Sequence, residues 1–291
     1  MTDGGGMRLT IWGAGGSAAT GDPSRARWGG DTVCFELRRP GSDVPLILDM
    51  GSGARQLGLH LARQAKAAGR APRAEVLLSH FHLDHVIGMP FFAPFYDAEA
   101  RVGLHSGLVG TPHELERVLT TLASSPLFPI RPLDMGAARF RCFESGRRFE
   151  AAGFQVTPFE TCHPGGCTGF RVESPEGVIC LVGDHEHGDA RIDAGVREMV
   201  QGADLMIFDA TYDDASYESF RGWGHSTWQK GVALAAEAGV GRTILHHHAP
   251  ELDDDAMDAR QAVIQAQSPN AWLARQGRVI ELKAGATAEV A

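Results

Sequence analysis

The chain has 291 residues, of which 43% are hydrophobic and 22% charged, as in an ordinary globular protein. Its formal net charge of −9 excludes the overall basic excess that is typical of a nucleic-acid-binding protein. No apolar run approaches the length of about 20 residues that a membrane-spanning helix needs. The chain starts without a basic segment followed by an apolar one, and its five cysteines are an odd number, so we expect a cytoplasmic protein with reduced thiols.

The first quarter of the chain predicts strands, a loop and one helix. Apolar runs typical of strands occupy residues 8–12, 33–37 and 46–49. The stretch 13–18 nearly matches a dinucleotide-binding fingerprint, but residues 20–23, Thr-Gly-Asp-Pro, break the helix which that fingerprint requires. We therefore interpret residues 13–18 as a glycine-rich loop at a strand end. Residues 54–69 have the apolar stripe of a helix that ends at Gly69.

A cluster of potential metal ligands follows the next predicted strand, residues 75–79. Its sequence is His80-Phe81-His82-Leu83-Asp84-His85. Histidine and aspartate are ligands that zinc and similar metals take in proteins. The first two histidines are two residues apart, which suits a loop leaving a strand rather than a helix. We expect His80 and His82 to face one metal, and Asp84 and His85 to face a second.

The stretch that follows is rich in aromatic residues and prolines. Residues 89–96 include Phe91 and Phe95, which either wall a pocket beside the metals or pack in the core. A helix is predicted from residue 111 to residue 124, and the proline-broken stretch 126–132 is a candidate lid or rim of the site.

The second half of the chain supplies further ligand types at the ends of predicted strands. Residues 154–158, 178–182, 204–209 and 243–245 read as strands; near their ends lie His163, Asp184, Asp209 and the triplet His246-His247-His248. A single histidine or aspartate at a strand end is common. Several together form the pattern expected when strand ends converge on one site.

These motifs resemble the five-motif pattern of the metallo-β-lactamase superfamily, from about residue 8 to residue 282. The resemblance implies an αββα sandwich, in which two mixed β-sheets pack face to face and helices flank both outer sides. It implies a two-metal site, with zinc as the expected metal and manganese or iron as fitting alternatives. By motif match, His80, His82 and His163 hold the first metal, Asp84, His85 and His247 hold the second, and Asp184 bridges them. We expect one domain at residues 8–285, between a disordered N-terminal tail at 1–7 and a C-terminal tail at 286–291.

Residues 208–212 and 224–227 resemble segments of ribonuclease Z and its small-phosphodiesterase relatives. In that branch a carboxylate orients a histidine beside the leaving group. The resemblance therefore implies that Asp209 positions His225, which acts as general acid, and that Asp84 shares the role of base. The alternative is that His225 only caps or packs at the start of the helix predicted at residues 226–238.

Together these inferences predict a binuclear metal-dependent hydrolase. We expect a phosphodiesterase that acts on a small, linear or cyclic, nucleotide or a related diester, with a metal-bridging hydroxide as nucleophile. The alternative is a hydrolase of a carboxylic ester, a thioester or a lactone. An RNA-processing endonuclease is less favoured, because the chain between His163 and Asp184 is too short for the RNA-gripping arm of short ribonucleases Z. A redox di-iron protein is disfavoured because that branch usually has Glu where His82 stands, and a non-catalytic binding module is disfavoured because such members often lose ligands.

Other residues have weaker predicted roles. Cys162 and Cys167 flank His163 and raise the alternative of a thiolate ligand, whereas His185 and His187 either support the ligands or face solvent. We expect a small phosphodiester as the partner, neither a membrane nor a nucleic acid, and a homodimer. Substrate contacts are expected among six side chains that the sequence alone does not rank: Arg25, Arg27, Phe91, Phe95, Arg221 and Trp223.

Overall fold

Two mixed β-sheets lie face to face at the centre of the molecule, and helices cover the outer side of each sheet. The computed structural model describes residues 5–283 and 286–290. This arrangement is the predicted αββα sandwich, which is therefore confirmed. None of the helices in the described part of the chain has the length and apolar character needed to cross a membrane.

The first sheet contains eight strands, numbered along the chain: β1 (Met7–Gly13), β2 (Cys34–Arg38), β3 (Leu46–Leu48), β4 (Arg73–Leu77), β5 (Arg101–Ser106), β6 (Ala138–Cys142), β14 (Val279–Lys283) and β15 (Ala286–Val290). Their order across the sheet is β15-β14-β1-β2-β3-β4-β5-β6. Strands β3 to β6 are parallel to one another, and the other neighbours are antiparallel.

The second sheet contains seven strands: β7 (Phe149–Ala151), β8 (Phe154–Thr161), β9 (Cys167–Ser174), β10 (Gly177–Gly183), β11 (Leu205–Asp209), β12 (Arg242–His246) and β13 (Ala271–Leu273). Their order is β13-β12-β11-β10-β9-β8-β7. Strands β10 to β13 are parallel, and β7 to β10 are antiparallel.

The α-helices are α1 (Ala54–Ala67), α2 (Leu83–Val86), α3 (Pro112–Leu122), α4 (Ala190–Val200), α5 (Trp228–Glu237) and α6 (Asp254–Gln267). Helices α1 and α3 pack through residues such as Leu57 and Leu115 on the outer side of the first sheet. Helices α4, α5 and α6 cover the second sheet through residues such as Val196 and Ile264. Helix α3 begins after Thr111, whose side chain forms a capping box with Glu114.

The main core lies between the two sheets. It is built from side chains that alternate along the strands, including Leu9 and Phe35 of the first sheet and Phe154 and Phe170 of the second. Burying one such side chain contributes about 1.5–3 kcal/mol. This core holds the two sheets in a fixed relation, so residues at their ends are also held in fixed positions.

The predicted segment boundaries differ from the structure mainly at the ends of the chain. Residues 286–290, which the sequence analysis places in a C-terminal tail, form β15 and pair with β14. Residues 1–4 of the predicted N-terminal tail lie outside the described residues, and Met7 already belongs to β1. The helix predicted at 226–238 is α5, which begins at Trp228 because Thr227 provides its N-terminal cap.

Replacing Phe170 with Ala should lower the free energy of unfolding by about 3–5 kcal/mol, because a fully buried ring is lost and a cavity remains. The matched control is Val263→Ala on α6, where the side chain is 48% exposed and we expect a change of about 0.5 kcal/mol or less. Urea denaturation followed by circular dichroism measures both values. An equal loss in the two variants would contradict the core assigned here.

Candidate metal centre

The carboxyl ends of parallel strands from both sheets meet at one edge of the sandwich. Asp49 follows β3, and the histidine cluster follows β4 after two residues. In the second sheet, Asp184 follows β10 and His247 follows β12. Ligands of α/β sheets commonly bind at the carboxyl ends of the strands. The topology thus brings together residues that are far apart in sequence.

The three residues predicted to hold the first metal lie together. The ligand atoms of His80, His82 and His163 are all within 4.8 Å of one another. His163 Nε2 lies 2.9 Å from His82 Nδ1. His82 is exposed, whereas the side chains of His80 and His163 are each 2% exposed, so this group reaches solvent through His82.

The three residues predicted to hold the second metal also lie together, and they are buried. Asp84 Oδ2 lies 3.1 Å from His247 Nε2 and 3.5 Å from His85 Nε2. Asp84 and His85 sit on the single turn of α2, whereas His247 comes from the other sheet. Of the histidine triplet, His247 is the member in the site; the ring of His246 packs edge-on against Phe35.

Asp184 lies between the two groups. Its Oδ2 atom is 3.3 Å from His85 Nε2 and 3.4 Å from His247 Nε2. The same oxygen is 3.6 Å from His80 Nε2 and 3.7 Å from His163 Nε2. One carboxylate oxygen therefore faces ligands of both groups, which is the position predicted for a bridging residue.

The buried atoms at this centre fit divalent cations. His80 Nε2, His85 Nε2 and Asp184 Oδ1 are buried and have no hydrogen-bond partner among the described residues. Leaving a buried polar atom unpaired costs about 1–3 kcal/mol. A cation would satisfy these atoms, and imidazole nitrogen with carboxylate oxygen is a suitable donor set for zinc.

The electrostatics favour a neutral imidazole at His80 and a positive charge near His247. Burial, with His85 nearby, lowers the pKa of His80 to about 2, so this imidazole is neutral and able to bind a metal. Burial also opposes protonation of His247, but Asp184, Asp84 and Asp209 outweigh it and raise that pKa to about 9. The carboxylates thus attract positive charge to the centre of the site, which either a proton or a metal cation can supply.

Asp49 holds ligands from both groups in place. Its carboxylate accepts hydrogen bonds from Ser79 N at 2.7 Å, Ser79 Oγ at 2.7 Å and His85 Nδ1 at 2.9 Å. Ser79 Oγ in turn lies 3.0 Å from His80 Nδ1 and accepts a hydrogen bond from it. These bonds leave the Nε2 atoms of His80 and His85 free to bind a metal. Asp49 was predicted only as the last residue of a strand, although a carboxylate after an apolar strand is the same signal that identifies Asp184.

His247 is held by Thr211 and by the glycine-rich loop. Thr211 Oγ1 lies 2.9 Å from His247 Nδ1 and 2.8 Å from Asp209 Oδ1. A Cβ atom on Gly16 would lie 2.1 Å from His247 Nδ1, so this position has room for glycine alone. The backbone of Ser17 donates to Asp84 Oδ2 at 2.7 Å. The loop at residues 13–18, predicted only as a glycine-rich loop at a strand end, is therefore a wall of the candidate metal centre.

His225 and Asp209 form a pair beside the metal groups. His225 Nδ1 donates to Asp209 Oδ2 at 2.8 Å. The His225 ring stacks on His247 with ring centroids 4.4 Å apart. Burial raises the pKa of Asp209, but His225 outweighs that effect and the pKa lies below its usual value. Because Thr227 caps α5, His225 is not the helix cap, and its ring faces the site.

The alternative ligands that the sequence raised lie behind the site. Burial raises the pKa of Cys167 to about 12, so this residue is a neutral thiol 3.7 Å from His80 Nδ1. Burial likewise raises the pKa of Cys162. His185 accepts from the Cys162 backbone and lies 3.2 Å from Asp193, and His187 stacks on a tyrosine ring. These contacts give Cys162, His185 and His187 structural partners outside the two ligand groups, and Cys167 lies on the Nδ1 side of His80, away from Nε2.

The six side chains that are candidates for substrate contact differ in their exposure and in the partners they already have. Three arginines are already engaged: Arg25 is buried and donates to the carbonyls of Ala249 and Leu252, Arg27 pairs with Asp255 and Asp258, and Arg221 pairs with Glu218. Phe95 is fully buried in the core. The side chains of Phe91 and Trp223 are 50% and 64% exposed, so these two present aromatic surface to solvent.

Replacing Asp49 with Asn should weaken metal binding about 10–100-fold, because ligands lose the hydrogen bonds that orient them. The matched control is Asp43→Asn, since Asp43 is half-exposed and pairs with Arg70 on the surface. Competition with a chelator, followed by metal analysis, measures the affinity. Metal retention equal to that of the unmodified protein would show that Asp49 does not orient the ligands.

Comparison with known proteins agrees with this geometry. A family model described as a beta-lactamase superfamily domain matches residues 46–248. Ribonuclease Z from Bradyrhizobium sp. (strain ORS 278) is 27% identical over 254 residues, covering 72% of this chain and 82% of that protein. The metallo-beta-lactamase fold protein YhfI from Bacillus subtilis superposes with a TM-score of 0.70 at 19% identity, covering 94% of this chain and 98% of that one. A diphosphatase from the PhnP family superposes with a TM-score of 0.64 at 18% identity, covering 95% and 98%. The chain belongs to the metallo-β-lactamase superfamily.

Proposed function

We propose that the protein is a binuclear metal-dependent phosphodiesterase that hydrolyses a small phosphodiester, such as a linear or cyclic nucleotide. The observation that carries this proposal is the His225–Asp209 pair, which lies against the two groups of candidate ligands. A histidine held by a carboxylate is suited to protonate a departing oxygen. The similarity to a ribonuclease Z and to a diphosphatase supports chemistry at phosphorus.

In this proposal each candidate ligand has one role. His80, His82 and His163 would hold one ion, Asp84, His85 and His247 would hold the other, and Asp184 lies between the two groups. When bound, two divalent ions lower the pKa of a water molecule towards neutrality and neutralise the charge of the phosphate oxygens. Zinc suits these donors, and manganese or iron is also compatible with them.

Hydrolysis adds water across a phosphorus–oxygen bond, so one proton must leave the water and one must reach the departing oxygen. As an imidazolium, His225 would donate from Nδ1 to Asp209 and supply the second proton from Nε2. The close contacts of Asp84 described above use Oδ2, so its Oδ1 is the atom that can accept the proton from water. General acid–base help of this kind contributes about 10²–10⁴-fold to the rate.

Two observations favour a small phosphodiester over the other candidates. Hydrolysis of a carboxylic ester, thioester or lactone could use the same metals, but it gives no specific reason for the carboxylate-held His225. Between His163 and Asp184 the chain forms the β9–β10 hairpin, whose strands end at Ser174 and begin at Gly177. The residues between His163 and Asp184 therefore belong mainly to strands β9 and β10 and leave no room for an RNA-gripping arm. The net charge of −9 also weakens attraction to RNA.

We propose that the protein works in the reducing cytoplasm. All five cysteines are free thiols, as the proposed reducing cytoplasm would leave them. We also propose that the protein is a homodimer.

Replacing His225 with Ala should lower kcat about 10²–10⁴-fold for a diester with an alkoxide leaving group, because the departing oxygen loses its proton donor. The loss should be smaller for bis-p-nitrophenyl phosphate, since p-nitrophenolate leaves without protonation. His113→Ala on α3 is the matched control, because the His113 side chain is 87% exposed. Steady-state kinetics and metal analysis together provide the measurement. Full turnover in a His225→Ala protein that keeps its metals would rule out the acid role.

Removing the metals by prolonged dialysis against a chelator should abolish phosphodiesterase activity. Adding about two equivalents of zinc or manganese should restore it. The melting temperature should fall on removal and recover on addition, because the ions bind the folded state. Turnover by protein containing well under one metal ion per chain would contradict the binuclear proposal.

A further inference from the structure

One short segment on the rim of the site is held by a carboxylate that the proposed reaction does not use. Gly222 and Gly224 both have left-handed backbone, with φ of 88° and 92°, and Trp223 lies between them. Their N–H groups donate to the two oxygens of Glu186, at 2.6 Å and 2.7 Å. Tyr217 OH donates to the same carboxylate at 3.2 Å. Glu186 thus fixes the backbone on both sides of the tryptophan.

The same segment is joined directly to the candidate metal centre. The carbonyl oxygen of Gly224 accepts from His163 Nδ1 at 2.8 Å. A Cβ atom on Gly224 would lie 2.3 Å from that nitrogen, so the backbone approaches the histidine as closely as glycine allows. His225 is the next residue. The backbone that carries Trp223 therefore lies beside one candidate ligand and leads into the candidate acid, and the Trp223 side chain is exposed to solvent.

The indole ring of Trp223 packs against another aromatic ring on one side, and most of its remaining surface is exposed to solvent. It packs edge-to-face on Phe220, with ring centroids 5.6 Å apart. Phe220 stacks on Tyr212 at 4.5 Å, and the Tyr212 ring is 6.1 Å from the ring of His225. Trp223 nevertheless remains 64% exposed. Leaving this much aromatic surface in water forfeits stabilisation that burial would provide.

We propose that Trp223 forms a binding subsite that stacks on the nucleobase of the substrate. The proposal rests on the proposed function and narrows its substrate class to a diester that carries a base. Each nucleobase has a planar face, and stacking on an aromatic side chain contributes about 1–3 kcal/mol per base. The Glu186 contacts prepare the ring for this role, because a fixed backbone lowers the entropy lost when the base binds.

A matched pair of substrates tests the subsite during turnover. Adenosine 2′,3′-cyclic monophosphate and glycerol 1,2-cyclic phosphate share a five-membered cyclic phosphate, but only the first has a base. Trp223→Ala should raise the ratio of the KM for the adenosine compound to the KM for the glycerol compound by about tenfold. Trp223→Phe should bring this ratio most of the way back to its value in the unmodified protein. Trp272→Phe on β13, whose ring lies beneath Arg242, is the matched control and should leave the ratio unchanged. An unchanged ratio in Trp223→Ala would overturn the inference.

A binding experiment tests the Trp223 subsite independently of the proposed reaction. AMP should quench tryptophan fluorescence of the metal-loaded protein and of Trp272→Phe, but not of Trp223→Phe, and ribose 5-phosphate should quench none of them. If AMP quenching depends on Trp223 while neither cyclic phosphate is hydrolysed, the reaction is wrong and the subsite stands. Quenching that persists in Trp223→Phe would refute the subsite. A change of oligomeric state in Trp223→Ala, measured by light scattering, would instead assign Trp223 to a subunit contact.

Discussion

A single carboxylate oxygen, Oδ2 of Asp184, lies 3.3 to 3.7 Å from the Nε2 atoms of four histidines that come from three parts of the chain. A buried charge is tolerated only when its surroundings compensate it, and removing one partner of such a group is strongly destabilising. The strands that deliver these residues must therefore end at the same edge. The two-sheet core meets this requirement, because it fixes the ends of β4, β10 and β12 relative to one another.

The candidate ligands are themselves held by a surrounding set of hydrogen bonds. His80 and His85 are oriented through Ser79 and Asp49, His163 through the carbonyl of Gly224, and His247 through Thr211. Each of these bonds uses the Nδ1 atom, so each ring directs Nε2 towards the centre. This shared pattern is what a preorganised metal site requires, because ligands that are already oriented lose little freedom when an ion binds.

The sequence was sufficient to predict the candidate ligands but not the residues that orient them. His80, His82, Asp84 and His85 are adjacent in sequence, and Asp184 follows an apolar strand, so their convergence could be inferred from local patterns. The contacts of Asp49, Gly16 and Glu186 join residues that are far apart along the chain. They depend on the path of loops, which residue spacing does not specify. Strand β15 was missed for a similar reason, since its pairing with β14 depends on tertiary context rather than on a strong pattern of its own.

In the proposed function, the segment from Gly222 to His225 would join recognition of the base to proton transfer within four residues. One carboxylate, Glu186, fixes the backbone that presents Trp223. The same backbone orients His163 and continues directly into His225. A base stacked on Trp223 would therefore be held by the element that also positions the proton donor, so a shift of this element would disturb binding and proton transfer together. Coupling of this kind would allow the residues at the rim of a compact site to select a small substrate. Productive binding and correct placement of the acid would then depend on the same few hydrogen bonds.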